Sequence, residues 1–169
     1  MTHMTFGAPL LRRPVLEQPL DALPISASPE LRSLLKFWSV TAGDDDTPNR
    51  SRLDAFTLRP WLGHISIYEA IDGGRDFRIR LEGTAIVAIT GEDWTGKRAS
   101  DVDTKYGCQI AEFMRDVVRT RQPQVHTMRV FQNEVEFITR LLLPVRARAN
   151  GPVDQVFLVI YVDPQQIAA

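Results

Sequence analysis

The most constraining feature of this sequence is a strand-length run near its C-terminus, residues 153–162, that is apolar on both faces. Successive side chains of a strand point to opposite sides. One side would carry Val156, Leu158, Ile160 and Val162, and the other would carry Phe157, Val159 and Tyr161. Such a strand needs cover on both sides, so the run is predicted to be the central strand of a sheet.

Two hairpins supply the remaining predicted strands. In chain order, these strands are residues 65–71, 77–81, 124–131 and 135–146. The turn Asp72-Gly73-Gly74 separates the first two, and residues 132–134 separate the second two. Because loops this short join antiparallel neighbours, most of the pairing is predicted to be antiparallel. The alternation in the first hairpin also predicts one solvent-exposed face.

Helical spacing is clearest in residues 29–42 and 106–121. The first segment begins at Ser28-Pro29-Glu30, where serine can cap the helix and proline suits its first turn. Its apolar positions are Leu31, Leu34, Leu35 and Trp38. This stripe is predicted to cover the outer face of a sheet, either in its own chain or in a dimer partner. A shorter helix is predicted over residues 85–89.

The chain length of 169 residues corresponds to about one domain. Prolines at four positions in residues 1–27 exclude a continuous helix, so an extended or partly disordered arm is predicted there. A single α+β domain is predicted over residues 28–163, followed by a tail over residues 164–169. Its helices are expected to gather on one face of an antiparallel sheet.

Charge and special residues exclude several function classes. The chain has 20 Lys and Arg against 21 Asp and Glu, which argues against a nucleic-acid partner. No apolar segment approaches the roughly 18 residues of a membrane helix, so no membrane span is predicted. The start of the chain lacks the pattern of a secretory signal, so a cytoplasmic location is predicted. One cysteine and three scattered histidines do not suggest a metal site.

An ordered set of short motifs resembles a known family. The motifs are residues 76–86, Gly91, residues 94–98 and Asp101, preceded by the loop Pro48-Asn49-Arg50. Together they are similar to the PAS domain family common in alphaproteobacteria, and the similarity covers about residues 28–162. The resemblance implies a five-stranded antiparallel sheet in the order 2-1-5-4-3, with helices over one face enclosing a small cavity.

The resemblance also implies a class of function. PAS domains generally bind a small molecule in their cavity, or dimerise and recruit partners, and they are usually not enzymes. A stand-alone sensory or signalling module is therefore predicted, with a homodimer and an unidentified signalling protein as its partners. The predicted dimerisation residues are Leu31, Leu34, Leu35 and Trp38.

The predicted cavity is mostly apolar, which favours a small apolar or amphipathic ligand. The residues predicted to line it are Phe77, Ile79, Leu81, Cys108, Phe113, Val117, Phe137, Thr139 and Leu141. Haem-binding PAS domains use a histidine on the long helix, and residues 106–121 contain none. Flavin-binding light sensors use a cysteine in an Asn-Cys-Arg-Phe type of motif, which the neighbours of Cys108 do not match. Neither cofactor is predicted.

Two alternatives remain open at this level. One is a small cup-shaped enzyme of the isomerase or hydratase type, which would use a carboxylate buried in the cavity. The other is an adaptor with a filled core and no ligand. Paired arginines could also clamp a carboxylate ligand, and the candidates by parity are Arg78, Arg80, Arg140, Arg146 and Arg148. Alternating charge on a solvent-exposed sheet face is the favoured explanation for these arginines.

Overall fold

The computed structural model describes residues 16–132 and 134–163, and predictions for residues 1–15, 133 and 164–169 lie outside these ranges. The strands are β1 (Leu16–Leu20), β2 (Ile65–Ile71), β3 (Asp76–Leu81), β4 (Gln124–Gln132), β5 (Glu134–Arg146) and β6 (Val153–Val162). The α-helices are α1 (Pro29–Ala42), α2 (Thr84–Thr90), α3 (Ala99–Tyr106) and α4 (Ile110–Thr120). Within the described ranges, the strands form one antiparallel sheet in the order β1-β4-β5-β6-β2-β3.

The predicted sheet is confirmed, with one strand added. Strands β2 to β6 follow the predicted order 2-1-5-4-3, and β6 lies in the interior of the sheet between β5 and β2. The added strand, β1, comes from the segment predicted to be an extended arm and pairs with β4 at the sheet edge. Pro19 lies within β1, and a residue without an N–H is tolerated on an edge strand.

The outer face of the sheet is covered by α1 of the same chain. Ser28 caps this helix by accepting a hydrogen bond from the Leu31 N–H at 3.3 Å. Leu31, Leu34 and Trp38 are buried in the outer-face core, and Leu35 packs against that core while partly exposed. The Trp38 indole donates to the carbonyl of Pro144 on β5 at 2.9 Å.

This packing corrects the predicted role of the α1 stripe. The side chains assigned to dimerisation are used within the chain, because burial against its own sheet satisfies their apolar surface. A second copy therefore has no access to the stripe unless α1 leaves the sheet.

Helices α2, α3 and α4 cover the opposite face, here called the inner face. Their buried side chains include Ile86, Val102, Met114 and Val117, and they pack with the inner-facing residues of β2, β3, β5 and β6. Strand β6 contributes Val156, Leu158 and Ile160 to this core and Phe157, Val159 and Tyr161 to the outer one. Both of its faces are thus buried, as its sequence predicts.

The link from β3 into α2 depends on a glycine. A Cβ atom at Gly83 would clash with the carbonyl oxygen of Gly63 and would lie 2.8 Å from that of Ile65. The Gly83 N–H donates to the buried hydroxyl of Ser66 on β2 at 3.3 Å. Only glycine permits this close backbone approach, which holds the start of α2 against the sheet.

Candidate ligand cavity

A cavity of about 70 Å³ lies between the inner face of the sheet and the helices α2, α3 and α4. Its apolar wall includes Ile86, Ile89, Val102, Ile110, Met128, Ile138, Leu158 and Ile160. Its polar groups come from Tyr68, Glu82, Thr90, Trp94, Tyr106, Cys108 and Arg140. The wall is therefore mainly apolar with a few polar side chains, as in sites for small molecules.

The predicted lining residues fall into several places. Cys108 lines the cavity. Phe77, Ile79 and Val117 lie on the predicted inner face but are buried in its core rather than in the cavity wall. Leu81, the last residue of β3, is 46% exposed.

Three other predicted lining residues lie on β5, and they differ from the observed lining because their side chains face away from the cavity. Ile138, Arg140 and Leu142 face inward, so the predicted lining residues at 137, 139 and 141 face the outer side. Leu141 accordingly lies in the outer-face core, and Thr139 donates to Asp163 at 2.8 Å. Because residues 141–143 are all leucines, alternation in the sequence does not show which side chains of β5 face inward.

The centre of the site is the guanidinium of Arg140, which is fully buried. Its Nε donates to Nδ1 of His126 at 3.4 Å, and its Nη2 lies 2.7 Å from Oε1 of Glu17. That ion pair is close but lacks the alignment of a hydrogen bond. Nη1 has no hydrogen-bond partner within residues 16–132 and 134–163. The Arg140 side chain thus brings a partly unsatisfied positive charge to the cavity wall.

This position contradicts the solvent-exposed assignment of Arg140. Strand β5 lies between β4 and β6 and is covered on both sides, so its arginine has no exposed face to occupy. Arg78, in contrast, is exposed on β3, which lies at the edge of the sheet. Arg80 also fits the solvent-exposed assignment, and it pairs with Glu69 at 3.1 Å.

His126 supports Arg140 from β4 as a neutral ring. Burial and the adjacent Arg140 lower the pKa of His126 to about 3. The ring packs against Phe113 of α4, with 4.2 Å between centroids. Because Nδ1 accepts from Arg140, the proton of the neutral ring is assigned to Nε2, which has no partner within the described ranges.

Two carboxylates hold the N-terminus of α4 beside the cavity. Asp103 accepts from the N–H groups of Ile110 at 2.6 Å and Ala111 at 3.0 Å. Glu17 accepts from the N–H of Gln109 at 2.8 Å through Oε2. The Cys108 thiol donates to Asp103 at 3.2 Å, and burial, followed by the charge of Asp103, raises its pKa. The Cys108 thiol thus serves as a hydrogen-bond donor in the cavity wall, and its raised pKa favours the protonated form.

Hydrogen bonds between acidic and aromatic residues form the wall near α2 and α3. Glu82 accepts from the backbone N–H of Trp94, and burial raises the pKa of this carboxyl. The Trp94 indole donates to the hydroxyl of Tyr106 at 3.3 Å, which in turn donates to Glu92 at 3.1 Å. Trp94 belongs to the motif that carries the family resemblance, so the motif contributes part of the cavity wall.

The polar half of this site is not evident from the sequence pattern. Tyr68 on β2 is buried, and its burial raises the pKa of its phenol. Arg140 offered the clearest available signal, because it is the only charged residue in the apolar run 137–145. Nothing in the sequence marks Glu17 as a site residue, because its contact with Arg140 depends on β1 joining the sheet.

The comparisons with known proteins place the chain in a family. The model of the PAS domain family matches residues 26–158. The chain belongs to this family, and the predicted resemblance is confirmed. No curated protein matches the chain. Within the described ranges, no helix is both long enough and apolar enough to cross a membrane.

One solved structure supports the fold. It is described as an RNA-binding Light-Oxygen-Voltage receptor, with a TM-score of 0.50 and 15% sequence identity. The similarity covers 90% of this chain and 39% of the receptor chain, so this chain spans less than half of the receptor's length. At this identity the likeness concerns the fold alone.

Proposed function

We propose that this PAS domain protein is a sensory module that binds a small amphipathic molecule in the cavity between its sheet and α2 to α4. The observation that carries the proposal is the cavity itself, where apolar side chains surround the buried guanidinium of Arg140. A core that served stability alone would be filled at close-packed density. It would also avoid a buried charge that lacks full hydrogen bonding.

The size of the cavity limits the ligand. Its volume of about 70 Å³ restricts the ligand to a small molecule. Haem and flavin are much larger than this space. The thiol of Cys108 is hydrogen-bonded to Asp103, which also disfavours its reaction with a flavin ring. A small ligand without a haem or flavin cofactor is therefore the proposal.

Enzymatic activity is the second candidate, and one residue favours it. Glu82 lines the cavity with a raised pKa, which is a property of general bases. Among the described residues that line the cavity, the thiol of Cys108 and the phenol of Tyr68 both have raised pKa values, which favours their protonated forms. The sensory proposal is preferred, since the chain belongs to a family whose members are generally not enzymes.

We also propose that the module acts by association, with a second copy or with a signalling protein. The apolar stripe of α1 is buried and does not provide that surface. Large apolar side chains that are exposed include Ile25, Val40 and Phe56, with exposed fractions of 97%, 70% and 82%. Native mass spectrometry of the full chain separates a monomer from a homodimer, and a purely monomeric mass at micromolar concentration would contradict the dimer.

The ligand proposal is tested with isotope-labelled isoleucine methyl groups in the full chain. Butyrate and its neutral amide, butyramide, are added as small amphipathic probes. At least one should shift the methyl signals of Ile86, Ile138 and Ile160, while the remote Ile25 stays unchanged. The variant Ile160→Phe fills the cavity and should abolish these shifts. If neither probe moves the cavity methyls and native mass spectrometry shows no bound small molecule, the proposal is wrong.

A further inference from the structure

Arg140 is incompletely paired in a way that specifies a ligand group. Guanidinium has five N–H donors in a planar fork that matches the two oxygens of a carboxylate. Here Nε has a long bond to a neutral histidine, Nη2 has an imperfectly aligned ion pair, and Nη1 has no partner in the described parts of the chain. The side chain is fully buried, so these donors are shielded from bulk solvent.

The present counter-charge of Arg140 comes from a separate element. Glu17 lies on β1, and β4 lies between β1 and the strand β5 that carries Arg140. Glu17 is itself well buried, with 6% of its side chain exposed. A carboxylate bound in the cavity would carry the same charge and compete for the same guanidinium. The ion pair therefore links cavity occupancy to the position of β1.

Strand β1 is also the least secured strand of the sheet. It has five residues, pairs only with β4 among the described strands, and contains Pro19, which lacks an N–H. Among its side chains that the structure describes, Leu20 packs against the outer-face cluster while partly exposed. It also lies before residue 26, where the match to the family begins. Loss of the Glu17 contact would therefore weaken a strand with few other attachments.

We propose that the cavity binds a small monocarboxylate whose oxygens bond to Arg140, displace Glu17 and thereby loosen β1 from the sheet edge. This inference rests on the proposed ligand-binding function and adds its chemical class and its consequence. The apolar wall formed by Ile138, Leu158 and Ile160 selects a short hydrocarbon chain behind the carboxylate. Loosening of β1 exposes the edge of β4, which is a surface that a partner strand can recognise.

The first test compares butyrate with butyramide in calorimetric titrations of the full chain. Butyrate is expected to bind at least about tenfold more tightly, because only butyrate supplies a charge for Arg140. Glu17→Gln removes the competing charge and should strengthen butyrate binding by about threefold or more. Arg140→Met should abolish the preference for butyrate, and Arg78→Met, an exposed arginine on β3, is the matched control that should leave it intact.

The second test follows hydrogen exchange of the backbone amides in β1 and in its partner residues 125–129. Butyrate should accelerate exchange in β1 by about tenfold, and butyramide should not. Glu17→Gln should raise β1 exchange without any ligand, and this variant keeps the test valid if Arg140→Met does not fold. Unchanged β1 exchange at saturating butyrate would overturn the displacement.

The results of these tests distinguish a failure of the carboxylate inference from a failure of the proposed ligand-binding function. Equal affinity for butyrate and butyramide would overturn the carboxylate inference while leaving ligand binding in place. An affinity for butyrate that Glu17→Gln does not change would also overturn it. Failure of both probes to bind would count against the proposed function itself.

Discussion

The two faces of the sheet are built from the same strands, yet they differ in how completely they are filled. The outer face packs against α1 through a cluster made mostly of Leu, Ile, Val, Trp and Phe side chains. The inner face packs against α2, α3 and α4, but it keeps a cavity and buries Tyr68, His126 and Arg140. Packing on the outer face secures the fold, which allows the inner face to retain a cavity and a buried charge that reduce stability.

The largest effect should come from a truncation on the filled face. Leu34 is 1% exposed between α1 and the sheet, so Leu34→Ala removes buried methyl groups and leaves a cavity. We expect the free energy of unfolding to fall by about 3 kcal/mol. Urea denaturation measures this change. The control is Val40→Ala on the same helix, where the side chain is 70% exposed and the expected change is below about 0.5 kcal/mol. A similar loss in both variants would show that α1 does not seal this face.

The inner face should make stability depend on pH through His126. Its pKa is lowered to about 3 in the folded protein from an ordinary value of 6.5, so the unfolded chain binds a proton more readily. The stabilising contribution is complete above pH 6.5 and is lost as the pH falls toward 3. Between pH 7 and pH 5, this group alone should reduce the free energy of unfolding by about 2 kcal/mol.

The variant His126→Phe isolates this contribution. It keeps an aromatic ring against Phe113 but removes the titrating group. Chemical denaturation at pH 7 and pH 5 should show a loss about 2 kcal/mol smaller in the variant than in the parent chain. Parallel pH profiles for both proteins would mean that the imidazole is not buried as a neutral group.

The same contrast explains what the sequence could predict. The packing of the outer face can be predicted from local patterns. The alternation in β6 and the helical spacing of Leu31, Leu34 and Trp38 each predict which side chains are buried. The family motif around residues 94–98 adds the sheet order, which local patterns leave open. The choice between a helix that covers its own sheet and one that covers a partner's depends on tertiary packing.

The inner face, with its cavity, was harder to predict for physical reasons. In β5, apolar residues occupy both faces, so alternation does not reveal that Arg140 rather than Thr139 points inward. An arginine is usually exposed, and only long-range packing makes this one buried. The contact with Glu17 joins residues far apart in the chain through an edge strand that contains a proline, a pattern that argues against a strand.

The smallest effect is expected from a matched pair that adds one methylene to each face. Val159 on β6 is fully buried in the outer cluster, whereas Val102 on α3 lines the cavity. Val159→Ile must displace close-packed neighbours and should cost about 1 kcal/mol. Val102→Ile has free space to occupy and should change the free energy of unfolding by less than about 0.5 kcal/mol. The same variant should weaken butyrate binding, because the added methylene takes ligand volume. Equal costs for the two substitutions in urea denaturation would mean that the inner face is as tightly packed as the outer one. The contrast between a filled face and a face that keeps a cavity would then be lost.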